Sequence, residues 1–287
     1  MTARTILTVA ALTLREAARR RVLWALAGLT VTLLALSAWG FSRLAGFETD
    51  AGSLTSGEAR LVASLLLNLI MFGLSLIAAI GTAFLAGPTL AGEIESGTAL
   101  AMLARPVRRS AVLVGKWLGL VAFGSGFVAV TGLAQFLIVR VTVGYWPPQP
   151  ATGLALLAAQ TTVLLTLGLL LSTAISPMAS GIVAVGLFGA TWIAGVVGGV
   201  GAAVGNAGVA RVGTVSRMLL PTDGLWRGAM HAFQDPIAVA QFGGPALQGG
   251  FPFLSNASLT AAYLAWAGVW VVVVLGLAGL AFLRRDL

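Results

Sequence analysis

The chain has 287 residues, 58% hydrophobic and only 9% charged, with a mean hydropathy of +0.98. A soluble domain carries about 25% charged residues and could not hide this much apolar surface, so a water-soluble globule and a disordered chain are both excluded. With no cysteine, one histidine and a net charge of +8, disulfide frameworks and thiolate or multi-histidine metal centres are excluded too, and what remains is an all-α integral membrane protein.

Residues 1–21 open the chain. Leu7, Ala10, Ala11, Leu14, Ala17 and Ala18 share one helical face, while Arg4, Thr8, Arg15 and Arg19 fall largely elsewhere. This is the pattern of an amphipathic helix lying in the headgroup layer, with a plain charged flank as the alternative. Charge-free runs long enough to cross a bilayer then predict six spans, at about 22–42, 61–86, 117–139, 153–175, 179–204 and 259–283. The first run is longer than a signal-peptide core and is read as a retained helix. Pro147, Pro148 and Pro150 mark a loop before the fourth span, and Ser176-Pro177 divides the fourth from the fifth. In the fifth, Gly195 with Gly199 and Gly201 with Gly205 form small-xxx-small pairs. Such pairs mean close helix contact, within the chain or across a dimer, or a hinge.

Two connectors stand out. Residues 87–116 carry two of the nine acids and four of the seventeen bases. Gly97 ends one helix there, Thr98 caps a short second one, and Pro106 stops it. Leu100 and Leu103 are then available to an apolar groove. The segment suits docking onto a soluble partner and equally a solvated connector. Residues 205–258 form a long outer loop rich in Gly and Pro. Within it, Leu219 to Arg227 reads as a short interfacial helix capped by Asp223, with Trp226 in the headgroup layer, acting as a passive turn or a lid. His231 stands alone, which does not suit a metal site.

Eleven of the seventeen bases fall on the side that holds both predicted termini and residues 87–116. The positive-inside rule places that side in the cytoplasm. Sixteen of the bases are Arg, a usage that points to a GC-rich bacterial source, and the expected home is the inner membrane. No basic cluster interleaves with aromatics, so nucleic acid is not an expected partner.

Reactive motifs are missing. Gly115-Lys116 is followed by Trp117 and lacks the upstream glycine of a phosphate-binding loop. There is no G-x-S-x-G elbow. No predicted span has an ionisable residue in its interior, which argues against an ion-coupled transporter and an intramembrane hydrolase. A non-enzymatic conduit driven from outside, or one for lipid-like cargo, fits these facts.

Gly92-Glu93-Ile94-Glu95-Ser96-Gly97-Thr98, then Leu103-Ala104-Arg105-Pro106, then Leu113-Val114-Gly115-Lys116 are similar to a series seen between spans two and three of type-two ABC exporter permeases. Leu14-Arg15-Glu16 with Arg19-Arg20-Arg21, and the closing Phe282-Leu283-Arg284-Arg285-Asp286-Leu287, also resemble that family. The resemblance spans essentially the whole chain. Ala101-Met102-Leu103 departs from the leucine-rich version, and the outer loop carries no cargo signature. The resemblance implies that residues 1–21 form a connecting helix. It implies that Glu93, Glu95, Gly97, Thr98, Leu100, Leu103, Arg105 and Pro106 couple to a groove of a separate cytoplasmic ATPase. Two permease chains, a homodimer in the simplest case, would join two ATPase chains. ATP and magnesium would bind in the partner, leaving this chain without a cofactor. One branch of the family serves copper maturation of a periplasmic reductase, so a membrane assembly factor is the alternative reading, and a scaffold without an ATPase is a third.

Overall fold

A computed structural model describes residues 2–20, 22–46, 48–49, 52–53, 56–95, 109–244, 251–255 and 258–284. In chain order the helices are α1 (Thr2–Ala17), α2 (Val22–Ala45), α3 (Ser56–Glu95), α4 (Arg109–Val143), α5 (Pro150–Ser172), α6 (Pro177–Ala203), α7 (Ala207–Leu219), α8 (Thr222–Phe233), α9 (Pro236–Phe242) and α10 (Ala261–Arg284). A two-residue antiparallel ladder, Glu48–Thr49 with Gly52–Ser53, lies between α2 and α3. The molecule is all-α apart from that ladder among the described residues. α2 to α6 and α10 are long and apolar enough to cross a membrane.

Local chemistry sets the breaks. Pro150 and Pro177 stand at the first helical position, where a missing N–H costs nothing. Gly205, at φ +71, reverses the chain after α6 and brings the Asn206 N–H 2.8 Å from the Gly201 carbonyl. The Asn206 side chain then caps α7 by accepting from Val209 N at 3.1 Å.

The helices outrun the charge-free runs. α3 continues through Pro88 to Glu95, and α4 starts at Arg109, so both flanks of predicted connector 87–116 are helical. A charge-free run measures apolar length, whereas helix hydrogen bonds continue past its end. Pro88 leaves one α3 carbonyl without its donor.

α3 and α5 form the centre of the bundle. In each, 56% of the most apolar stretch is buried, against 17% in α2 and 22% in α10. α3 touches α2, α4, α5 and α6, while α5 touches α4, α6, α8 and α10. α1 lies along the start of α4, where a Cβ on Gly119 would meet the Ala10 carbonyl at 2.6 Å. Its buried residues are Thr13 and Ala17, whereas Leu7 is 66% exposed and Leu14 faces out as well. The face predicted for α1 is therefore split, because apolarity alone does not distinguish a lipid neighbour from a protein one. Leu113 of α4 and Phe282 of α10 share a buried cluster, so α1, the flanks of 96–108 and the end of α10 gather at one end of the bundle.

The opposite end corrects the sequence reading. Among its described residues, predicted outer loop 205–258 contains three helices. α7 folds back beside α6, and α8 is wedged against α5, α6 and α3. Trp226 is 1% exposed, inside an aromatic cluster with Phe72 at 5.4 Å, and is not an interfacial residue. α9 is capped by Asp235, whose carboxylate accepts from Ile237 N at 3.0 Å and Ala238 N at 3.3 Å.

Candidate functional site

Polar side chains collect at three levels of the bundle. At the end that holds α1, Lys116 is 4% exposed and donates to the Thr89 carbonyl at 2.7 Å. Thr89 Oγ1 donates to the Leu85 carbonyl at 2.5 Å, one turn back. An ammonium can be buried only when its donors are met, and the Thr89 carbonyl meets one of them. On the same stretch of α3, Gly87 lies against the Pro177 carbonyl and Ser180 Oγ at the start of α6. The end of α3 and the beginnings of α4 and α6 thus interlock. Glu93 and Glu95 belong to the last turn of α3. Gly97, Thr98, Leu100, Leu103, Arg105 and Pro106, with the short helix expected at 98–104, lie outside the described residues.

In mid-bundle, amides and hydroxyls tie helices together. Ser75 donates to Gln160 Oε1 at 2.9 Å, joining α3 to α5. Gln135 Nε2 donates to Ser37 Oγ at 2.7 Å, joining α4 to α2. Nearer to Lys116, Trp117 Nε1 donates to Thr166 Oγ1 at 2.9 Å, joining α4 to α5. A hydrogen bond of this kind replaces a polar group that would otherwise face hydrocarbon. Sequence reading passed over these residues because it searched the spans for full charges.

At the far end, Asp223 does not cap α8. Its side chain is 1% exposed, and its Oδ2 accepts from Arg217 Nε at 2.9 Å and Arg227 Nε at 3.0 Å. Arg227 Nη2 also donates to the Gly195 carbonyl at 2.8 Å. A Cβ on Gly195 would strike the Asp223 carboxylate, so the absence of a side chain makes room for this ion triad. One turn toward mid-bundle, Thr191 and Thr222 share a hydroxyl hydrogen bond of 3.0 Å. The close approach of α7 depends on Gly198, where a Cβ would meet Gly213 Cα at 2.6 Å, and on Gly201, where it would meet Val209 Cγ1 at 2.6 Å. The small-residue contact therefore runs at a spacing of three, through Gly195, Gly198 and Gly201. Gly199 meets only Arg227 Nη2 at 3.8 Å, and Gly205 turns the chain. The one hint in the sequence was the four-residue spacing of Asp223 and Arg227, a helical ion-pair distance.

Outside the spans, Tyr145 donates to the Phe233 carbonyl at 2.6 Å. Burial pushes its phenol above the ordinary range, and the nearby Asp235 charge adds to the shift. His231 rests against the Ser255 carbonyl at 3.3 Å. No group of three metal-binding side chains occurs among the described residues.

Six helices long and apolar enough to cross a membrane, tied by inward hydrogen bonds, define a multi-pass membrane protein whose polar groups position helices. Residues 7–287 match the family model described as ABC-2 family transporter protein, and the chain belongs to that family. It is an ABC transporter permease, a membrane transport component without an ATPase of its own, of a kind that works with an ATPase subunit. No curated relative matches the sequence.

Proposed function

We propose that this permease exports a substrate when driven by a separate cytoplasmic ATPase seated on residues 93–106. The observation that carries the reading is the junction beside that segment. Lys116 bonds the Thr89 carbonyl while Gly87 admits the start of α6, so a push on 96–108 reaches three helices at once. Glu93, Glu95, Gly97, Thr98, Leu100, Leu103, Arg105 and Pro106 form the coupling surface, and a second copy of the chain completes the conduit. ATP and magnesium bind in the partner.

In this reading, the end that holds α1, the flanks of 96–108 and the close of α10 faces the cytoplasm. Arg4, Arg15, Arg19, Arg20, Arg109, Lys116 and Arg284 belong to that end, in keeping with positive-inside sorting. Deleting Thr98 to Ala104, or the substitution Glu93→Arg, is expected to abolish co-purification with its partner ATPase while the permease still enters the membrane. Retained ATPase after the deletion overturns the docking. Because the chain has no cysteine, Thr98→Cys gives a single reporter. It should react with a membrane-impermeant maleimide only from the cytoplasmic side, and labelling from the opposite side overturns the orientation.

A further inference from the structure

A groove of about 710 Å³ opens on the outside of the bundle where α7 folds back beside α6 and α10. Leu187 and Ala194 of α6 form one wall, Val212 and Val215 of α7 a second, and Trp270 of α10 a third. The Trp270 ring is fixed there because its Nε1 donates to the Leu219 carbonyl at 2.8 Å. Val212 and Val215 stay about half exposed, so no part of the described chain covers them. The volume falls within the range of small-ligand sites, roughly 300–1,000 Å³.

One end of the groove is charged. Arg211 lines it, is exposed, and has no hydrogen-bond or ion-pair partner among the described residues. Arg217 and Arg227 on the same hairpin are both engaged by Asp223. Arg211 lies one residue beyond the contact of Val209 and Ala210 with Gly201, near the end of α6, and the apolar wall runs from there to Leu219. At 1.5 Å per residue this is about 12 Å of depth along α7. A cation on α7, beside the end of spanning helix α6 and with oil beneath it, is complementary to an anionic headgroup carrying an alkyl tail, and to no compact polar solute.

We propose that this groove binds an anionic phospholipid of the bilayer, with one acyl chain along Val212 and Val215 and the phosphate on Arg211. The bound lipid fastens the α7–α8 hairpin to α6 and α10 from outside, as the Asp223 triad fastens it from within. This rests on the membrane location and not on the coupling mechanism.

The test uses the full chain in nanodiscs of phosphatidylcholine with a minor share of phosphatidylglycerol, released into native mass spectrometry. Wild type should retain phosphatidylglycerol in preference to phosphatidylcholine. Arg211→Gln, at an exposed site, should cut that preference about tenfold, the scale of a charge-assisted hydrogen bond. Val215→Trp should fill the groove and lose both lipids, while Val273→Trp on the exposed face of α10 should lose neither. Excess inorganic phosphate should not displace the lipid, since it lacks the tail. An unchanged preference in Arg211→Gln, retained lipid in Val215→Trp, or displacement by phosphate alone overturns the proposal.

Discussion

α2 and α8 invert the usual relation between apolarity and burial. α2 is an unbroken apolar span, yet only 17% of its most apolar stretch is buried, and Trp24 and Trp39 are 82% and 61% exposed. α8 is half as long, carries Asp223, Arg227 and His231, and buries ten of its twelve residues. In water the hydrophobic effect would sort them the other way. In a bilayer the lipid solvates α2 as well as protein does, so the interior goes to segments that gain from close packing and from satisfied polar groups.

Substitutions on the two helices sharpen that contrast. The largest effect is expected from Asp223→Ala, which leaves Arg217 and Arg227 without their shared carboxylate. Removing one side of a buried ion pair costs about 3–5 kcal/mol, so the thermal midpoint in detergent should fall steeply. Trp24→Ala on α2 should leave it within about 0.5 kcal/mol, and equal effects would break the comparison. Next in size is Lys116→Met, which removes a charged donor from the Thr89 carbonyl and should cost about 1.5–3 kcal/mol by the same measurement.

Gly198→Ala places a methyl on Gly213 Cα and should cost about 1–3 kcal/mol through forced separation of α6 and α7. Protease accessibility of the hairpin would report the separation directly. Gly199→Ala, one position on, meets only ordinary contact and should gain up to about 1 kcal/mol from helix propensity. Opposite signs at adjacent glycines would establish the spacing of three, and matching signs would remove it. A smaller loss belongs to Gln160→Leu, where one interhelical hydrogen bond is worth about 0.6 kcal/mol.

Much of the architecture was legible. Charge-free runs predicted six spans, six described helices are long and apolar enough to cross a membrane, and Pro177 separated α5 from α6 as expected. The motifs from Gly92 to Lys116 pointed to the right family. The hairpin was not legible, because α7 and α8 are too short and too polar to register as membrane segments. The role of Asp223 was misassigned for a related reason. A carboxylate at a helix start reads as a cap until a distant arginine and a bare glycine are brought to it. Lys116 was counted among the bases of connector 87–116 because nothing local shows that Thr89, twenty-seven positions back, offers a carbonyl.

Composition and periodicity alone determined that this chain lives in a membrane, how often its helices are long enough to cross, and where its positive charge gathers. These depend only on how each segment partitions between water and oil. Tertiary structure decided which faces meet lipid and which meet protein, that Gly195, Gly198 and Gly201 make room for a neighbouring hairpin, and that Arg217 and Arg227 converge on one carboxylate. Those outcomes depend on which distant segments come within 3 Å of each other, and transfer energies carry no information about that.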